Sequence, residues 1–507
     1  MLAVSFPSGG LKRRETKKPL VLAAIMLAMF MGAIEATIVS TAMPAIVADL
    51  GGFTLYSWVF SAYLLMNSIT VLIYGKLSDL YGRKPILSFG IIIFLIGSIL
   101  CGLATSMEML IIFRFIQGFG AGAVTSIATT IVGDIYSPEE RAKIQGYLSS
   151  VWGISAVTGP AIGGLLVQYV SWNYVFWVNI PLGILSLVGL WLYLHEDVKK
   201  KKHDIDYIGA ILLTISISTL IFVLVEGGGR WSWGSWQVLS LFGVFALTIT
   251  GFVFQEGRAK EPLMPFAIWK EKSIFVANIT SLTTGIMLIG ISSFLPAFVQ
   301  GVMEQPPIIA GFTLTAMSIG WPIASILSGK MLLKIGYRIT SLFGGAALIM
   351  GSLIFVTMSS SSGPIYAAAG SFIIGIGMGL TSTAFIVSIQ STVGWEQRGI
   401  ATAANMFMRN LGNTIGAALL GGILNNRLAI YLSENQHKTT ATLTIDSTNQ
   451  LLKEGERSRL PEPVRTVLQD GLTVSLHWVY YVVLTFALVS MIFILFIPKK
   501  EKSTSIE

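Results

Sequence analysis

Apolar residues are grouped along the chain in long blocks that shorter polar connections separate. A block measures about 18–25 residues, which is the length a helix needs to cross the hydrocarbon core of a bilayer. The pattern predicts fourteen membrane-spanning helices, near residues 20–44, 54–75, 85–105, 108–132, 143–167, 172–194, 206–226, 236–255, 273–298, 308–331, 339–358, 364–389, 398–424 and 475–497. We therefore expect an all-α polytopic membrane protein.

The later part of this pattern repeats the earlier part at a nearly constant offset. Gly118-Phe-Gly120-Ala-Gly122 in span 4 recurs as Gly375-Ile-Gly377-Met-Gly379 in span 12, and Gly75-Lys76 with Gly82 recurs as Gly329-Lys330 with Gly336. Spans 1–6 thus match spans 9–14, and spans 7 and 8 form an insert. The repeat predicts two six-helix bundles of the same orientation, with a ligand site near the midplane between them.

The predicted organisation has five parts. An N-terminal segment (1–19) precedes the first bundle (20–194), a linker with the two extra helices (195–272) follows, and the second bundle (273–497) precedes a short tail (498–507). The second bundle includes a long polar connection at 425–474, which we expect to be extracellular and to lack a hydrophobic core.

The placement of basic residues sets the orientation. The chain carries 34 Lys and Arg and a formal net charge of +8, and most of these residues fall in the termini and in alternate short connections. This is the positive-inside distribution, so we expect both termini in the cytoplasm. The same placement accounts for the charge without a nucleic-acid partner.

Composition excludes several other classes of protein. Apolar residues make up 53% of the chain and charged residues 12%, whereas a soluble domain has about 25% charged residues. The single cysteine, Cys101, excludes disulfides, and the four scattered histidines offer no metal-ligand spacing. The chain also lacks a Gly-x-x-x-x-Gly-Lys-Ser/Thr phosphate loop. We expect neither an enzyme nor an ATP-driven pump, and no metal or cofactor.

One acidic residue, Glu35, is embedded deep in the first apolar block. A carboxylate in hydrocarbon costs about 2.5–3.5 kcal/mol on insertion scales, so it is tolerated only where it faces a protein interior or a water-filled cavity. There it can be neutralised by a proton. Glu35 is therefore the first candidate for coupling protons to transport.

The connection between spans 2 and 3 carries a family resemblance. Gly75-Lys-Leu-Ser-Asp79-Leu-Tyr-Gly82-Arg83-Lys84 resembles the signature cytoplasmic loop of major facilitator transporters. The glycines would allow a tight turn against a neighbouring helix, while Asp79 and Arg83 would form a charged clasp that Asp134 could join. The resemblance implies a gate on the cytoplasmic side. The alternative is that the basic residues only fix the topology.

Two further segments resemble drug exporters of this superfamily. Span 5 contains an antiporter-like sequence with Gly153, Gly159, Pro160, Gly163 and Gly164, for which ordinary small-residue packing is the alternative. The stretch from Glu35 to Pro44 resembles the first-helix motif of fourteen-helix drug:proton antiporters, in which Asp usually holds the acidic position.

Arg114 in span 4 resembles the intramembrane arginine that this family associates with proton transfer. A cation near Glu35 would help the carboxylate to release its proton. The alternative is a structural pairing of Arg114 with backbone carbonyls or with another helix.

Span 13 contains a polar cluster whose members Asn405, Arg409 and Asn413 are four residues apart and therefore share one helix face. Such a face is expected to line the central cavity, where Arg409 would pair with a carboxylate or with substrate. Polar packing between helices is the alternative.

These features together favour a proton-driven antiporter that exports lipophilic, cationic drugs or antiseptics. The alternative is an exporter of an endogenous metabolite, lipid or peptide that uses the same proton antiport. We expect a monomer in a bacterial plasma membrane whose partners are a small lipophilic substrate, protons and membrane lipid, with the proton gradient in place of a cofactor.

Overall fold

The computed structural model describes residues 16–136, 138–196, 206–227, 230–259, 264, 266–393, 398–439, 442–452 and 454–498, and no β-strand occurs among them. The long helices are α1 (Lys18–Leu50), α2 (Tyr56–Tyr81), α3 (Arg83–Gly102), α4 (Met107–Ile135), α5 (Pro138–Tyr169), α6 (Asn173–Tyr193, interrupted at Val178), α7 (Tyr207–Glu226), α8 (Trp236–Arg258) and α9 (Lys272–Ala297). Those that follow are α10 and α11, which share the range Pro307–Val356, then α12 (Gly363–Thr392), α13 (Arg398–Glu434) and α14 (Glu462–Leu495). The fourteen predicted spans are thereby confirmed.

The division between α10 and α11 lies at Gly336, whose φ of 77° and ψ of 175° are not helical. The matching position of the first bundle is Gly82 between α2 and α3, where φ is 95°. Both angles lie in the region that favours glycine, so the repeat uses the same residue for the same turn.

Glycines of the repeated Gly-x-Gly-x-Gly segment have the same neighbours in both bundles. A Cβ on Gly118 of α4 would overlap the backbone of α2, and one on Gly120 would overlap the backbone of α3. In α12, a Cβ on Gly375 would overlap the backbone of α10, and one on Gly377 would lie 2.7 Å from Leu348 Cδ2 of α11. The sequence repeat is therefore a structural repeat, and close helix approach is the reason for its glycines.

The inserted helices α7 and α8 stand beside the two bundles. α7 packs against α2 and α13, one helix from each bundle, while α8 packs mainly on α7 and exposes large apolar side chains such as Trp236 and Leu247. This exposed surface fits a helix that faces lipid.

The most extensive apolar contact between the two bundles lies on one side of the molecule. We call the side on which α1 begins and α14 ends the termini side. On the opposite side a single apolar core joins Val47 and Phe53 of the first bundle to Phe298 and Tyr480 of the second. Towards the termini side one core lies around Ile91 in the first bundle and another lies within the second, while a further core around Ile217 of α7 joins α2 to α13.

Polar contacts reinforce this seal opposite the termini. The hydroxyl of Tyr56 donates to the carbonyl of Ser293 at 2.6 Å, and Gln300 Nε2 donates to the carbonyl of Thr41 at 3.2 Å. The bundles are therefore joined most tightly opposite the termini, and we call the region between them on the termini side the central cleft.

The connection between α13 and α14 differs from the expectation. Both helices extend beyond the predicted spans, which reduces the connection from 425–474 to residues 435–461. Leu451 and Leu452 of this connection are buried in the core that joins the bundles. The expectation that 425–474 lacks a hydrophobic core was wrong, because its few leucines are placed where they meet the seal.

Candidate functional site

Glu35 lies near the middle of α1 and is completely buried. Its Oε1 forms an ion pair with Arg114 on α4 and accepts a hydrogen bond from Arg114 Nη1. Its Oε2 accepts a hydrogen bond from Asn179 Nδ2 on α6 at 2.6 Å. The structure thus brings together Glu35 and Arg114, and it adds the amide of Asn179, to which the sequence analysis assigned no role.

Arg114 is held by several further contacts. Its Nε donates to the carbonyl of Val59 at 3.2 Å, and its Nη1 donates to Gln117 Oε1 at 2.7 Å. The guanidinium lies 4.2 Å from the centre of the Tyr63 ring, a cation–π geometry. Gln117 in turn donates to Ser98 Oγ at 2.8 Å. The ion pair is therefore surrounded by hydrogen-bonding groups of the first bundle, as a buried pair requires.

The Asn179 amide can serve either protonation state of Glu35. In the present arrangement its NH₂ group donates to the carboxylate, while its Oδ1 is buried without a hydrogen-bond partner. Rotation of the amide by half a turn would present Oδ1 as an acceptor for the hydroxyl of a protonated Glu35. A protonated Glu35 would then keep a hydrogen-bond partner at this oxygen.

Part of the clasp expected at the α2–α3 connection is present. Arg83 Nε lies 3.2 Å from Asp134 Oδ2, and Arg83 Nη1 donates to Ser78 Oγ at 2.8 Å. The side chain of Asp79 lies outside the described part of the structure. Glu196 accepts hydrogen bonds from the backbone N–H groups of Arg83 (2.8 Å) and Lys84 (3.0 Å), which ties the connection to the end of the first bundle.

The two glycines of this connection differ in their surroundings. Gly82 makes the left-handed turn, as expected. A Cβ on Gly75, in contrast, would have no heavy atom within 4 Å. The close approach expected at Gly75 is thus absent among the described residues in this conformation.

The glycines of the span 5 motif lie where α5 meets α1 and α10. A Cβ on Gly159 would overlap Thr37 of α1, and one on Gly163 would lie 2.9 Å from the carbonyl oxygen of Ile38. On the other side of α5, a Cβ on Gly164 would lie 2.8 Å from Ile308 Cα. The motif therefore permits close packing between the bundles on the sealed side.

Two residues of the same motif also face α10. The carbonyl of Pro160 lies directly against Gly311. Gly153 is looser, because a Cβ there would lie 3.6 Å from Pro322 Cγ, an ordinary contact distance.

The three residues of the span 13 cluster have different roles in the structure. Asn405 is buried and donates to α9 at Asn278 Oδ1 (3.1 Å) and Ser281 Oγ (2.8 Å), which is polar packing between helices. Arg409 is partly exposed. Asn413 Oδ1 is buried and has no hydrogen-bond partner within the described residues.

Several residues of the site could not be identified from the sequence, namely Asn179, Gln117, Ser98, Tyr63 and Glu196. Amides and hydroxyls are frequent in membrane helices, so they carry no energetic signal as strong as that of a buried charge. Among the described residues, no group of three or more His, Cys, Asp or Glu could hold a metal ion.

Comparisons with known proteins agree with this architecture. The sequence profile of the Major Facilitator Superfamily matches residues 25–417. Two proteins of Bacillus subtilis (strain 168) are similar over nearly the whole chain. Multidrug resistance protein 3 is 35% identical, covering 98% of both chains, and multidrug transporter protein MdtP is 32% identical, covering 96% of this chain and 94% of its own.

A solved structure has the same fold. It is a bacterial homologue of the human lysosomal transporter Spinster, in an inward-facing and unoccupied conformation, with a TM-score of 0.64 and 17% identity over 96% of this chain and 98% of its own. The fourteen-helix architecture, the repeated bundles and the profile match lead to one conclusion: this chain belongs to the Major Facilitator Superfamily and is a multi-pass membrane transporter rather than an enzyme.

Proposed function

We propose that this transporter is a proton-driven antiporter that exports lipophilic, drug-like compounds, cationic ones included, from the cell. The names of its Bacillus relatives, a multidrug resistance protein and a multidrug transporter, support drug efflux. The glycine–proline motif of α5 supports antiport, because it resembles the motif of drug exporters and lies where α5 packs on α1 and α10.

The direction of transport follows from the charge distribution. Basic residues in the termini and alternate connections favour a cytoplasmic location for both termini. The central cleft then opens to the cytoplasm, where a compound destined for export would enter. The Bacillus relatives support a bacterial plasma membrane as the location.

The observation that carries the proton proposal is the buried group of Glu35, Arg114 and Asn179. Glu35 has hydrogen-bond donors on both carboxylate oxygens, and Asn179 can become an acceptor when the carboxyl group is protonated. Because no part of Glu35 is exposed to solvent in this conformation, a change in its protonation has to accompany a movement of the helices.

The test is dye transport in inside-out membrane vesicles. Wild type is expected to accumulate an ethidium-type dye under a proton gradient and to lose this activity on addition of a protonophore. Glu35→Gln should abolish the gradient-dependent part, whereas Glu35→Asp should keep some of it because the carboxylate remains. Asp49→Asn is the matched control: Asp49 lies at the far end of the same helix, where it accepts a hydrogen bond from Trp172 Nε1.

Full protonophore-sensitive transport by Glu35→Gln would refute the role of Glu35. Transport that resists the protonophore but stops on ATP depletion would refute proton antiport altogether. Parallel measurements with endogenous lipids, peptides and metabolites decide whether drugs are the main cargo.

A further inference from the structure

Helix α13 packs against α9, α2, α7 and α14, in the last case where Arg427 stacks on Trp478. Towards α9, Asn405 Nδ2 donates to the carbonyl of Ala277 at 3.1 Å. Towards α2, the hydroxyl of Thr414 forms a hydrogen bond with the hydroxyl of Ser68 at 3.0 Å. Towards α7, a Cβ on Gly422 would overlap the backbone of that helix. One side of α13 remains.

The remaining side carries Met406, Arg409 and Asn413, which are three or four residues apart and therefore neighbours on the helix surface. α9 of the second bundle and α2 of the first lie on opposite edges of this side, and α7 lies behind α13. The side therefore faces the central cleft. Met406 is 44% exposed and Arg409 is partly exposed, in agreement with this position.

Arg409 has no hydrogen bond, ion pair or aromatic contact to any residue in the described part of the chain. Helix α9 contains no acidic residue between Lys272 and Ala297. Helix α2 contains Asp79, but its backbone lies at a different depth from that of Arg409. Counted along the two helices from the Ser68–Thr414 contact, Asp79 is about 9 Å closer to the termini side than Arg409.

The buried carboxylate of Glu35 is not available to Arg409. Both oxygens of Glu35 are occupied by Arg114 and Asn179. The positive charge of Arg409 is thus uncompensated inside the membrane, where an unpaired charge is costly and marks a pathway for substrate. Asn413 Oδ1, one turn further along the same side, is a second polar atom without a partner.

We propose that Arg409 is the anion-binding residue of the transport site and that the substrates include lipophilic molecules with a carboxylate, with or without an amine. This inference narrows the proposed efflux function and rests on it. The planar guanidinium donates two parallel hydrogen bonds to a carboxylate, and it cannot lose its charge by deprotonation. Met406 offers a flexible apolar contact to the body of the molecule, and Asn413 Oδ1 offers an acceptor to a donor group.

The test compares one dye in two charge states, rhodamine B with its free carboxylate and its ethyl ester. Fluorescence polarisation with the purified full-length chain in detergent measures the affinity for each dye without a proton gradient. Arg409→Gln should weaken binding of rhodamine B by about tenfold or more, since a charge-assisted bidentate contact is lost. Binding of the ester should change by less than about twofold, and Arg409→Lys should give an intermediate loss for rhodamine B.

Arg427→Gln is the matched control, because Arg427 lies on the same helix but stacks on Trp478, 3.8 Å from the ring centre. It should leave both affinities unchanged. Retained ester binding by Arg409→Gln also shows that this variant is folded.

Two results would overturn the anion site. One is wild-type binding of the ester but not of rhodamine B, and the other is an equal loss of both dyes in Arg409→Gln. Either result leaves the efflux function intact if inside-out vesicles still accumulate the ester. Failure of wild-type vesicles to export any lipophilic dye would instead refute the efflux function, and the anion site with it.

Discussion

At the scale of the residue, we propose that Asn179 serves both protonation states of Glu35. Its Nδ2 donates to Glu35 Oε2 at 2.6 Å. A hydrogen bond to a charged group contributes about 1.5–3 kcal/mol, so Asn179→Ala should reduce gradient-driven efflux by about tenfold or more. The measurement is dye transport in inside-out vesicles, together with the protons released when dye is added to purified protein.

Asn173→Ala is the control for this prediction. Asn173 lies in the same helix and also donates an amide hydrogen bond, to the carbonyl of Gly102 at 2.7 Å, but it does not touch Glu35. Equal effects of the two substitutions would mean that Asn179 only holds α6 in place.

Some residues of the site could be recognised from the sequence and others could not. The pairing of Glu35 with Arg114 follows from two opposite charges in apolar helices, where each is too costly to stand alone. Asn179 gave no such signal, because an amide is tolerated wherever one hydrogen bond is available. Asn405 was grouped with Arg409 by spacing alone, yet a small rotation around the helix axis sends one to α9 and the other to the cleft.

At the scale of the element, the glycines of α5 determine how closely the bundles approach. A Cβ on Gly164 would lie 2.8 Å from Ile308 Cα and 3.0 Å from the carbonyl oxygen of Pro307. Backbone atoms cannot rotate away, so Gly164→Val should disfavour the present conformation by about 1–3 kcal/mol, which is about 5- to 150-fold in population. Efflux should fall accordingly.

Accessibility of the cleft checks this prediction. The single cysteine, Cys101, is buried, so Cys101→Ala provides a background for a new cysteine at position 406. Maleimide labelling at 406 should slow down in Gly164→Val. Gly153→Ala should not change it, since the nearest atom to its Cβ, Pro322 Cγ, lies 3.6 Å away. Unchanged labelling in Gly164→Val would contradict the prediction, because it would mean that α5 and α10 can move apart to fit the valine without a cost in free energy.

The element scale was largely predictable because apolar block length determines which segments cross a bilayer. The ends of α13 and α14 were not, since both helices continue past the apolar blocks into more polar sequence that hydropathy does not mark as a span. Gly336 was recognised through the repeat with Gly82, and the same left-handed turn occurs at both positions.

At the scale of the whole molecule, the repeat predicted two bundles but not which side of the molecule is sealed. The seal depends on contacts between distant parts of the chain, such as the bond from Asn425 Nδ2 to the carbonyl of Thr54 at 2.6 Å. The 435–461 connection contributes through Asp446, which accepts from the backbone N–H of Thr54 at 3.2 Å. Neither contact leaves a periodic pattern in the sequence.

A change at Asn425 is therefore expected to alter the relative populations of conformers that are sealed opposite the termini and conformers that are closed on the termini side. Removal of a partly buried hydrogen bond between the bundles costs about 1 kcal/mol or more, so Asn425→Ala should shift the population about fivefold towards conformers closed on the termini side. Spin labels at positions 81 and 333 in the Cys101→Ala background report this movement, because Tyr81 and Leu333 are 62% and 91% exposed near the termini-side ends of α2 and α10. The fraction of short label–label distances should rise.

Asn435→Ala is the control for this prediction. Asn435 Nδ2 also donates to a backbone carbonyl, that of Tyr431 at 2.8 Å, but both residues belong to the same bundle. Its loss removes the same kind of bond without weakening the seal, so the label distances should stay as in wild type. An equal shift in both variants would assign the effect to a general loosening of the second bundle. A shift in Asn425→Ala alone would show that the contacts opposite the termini hold the central cleft open, and so control access to Arg409.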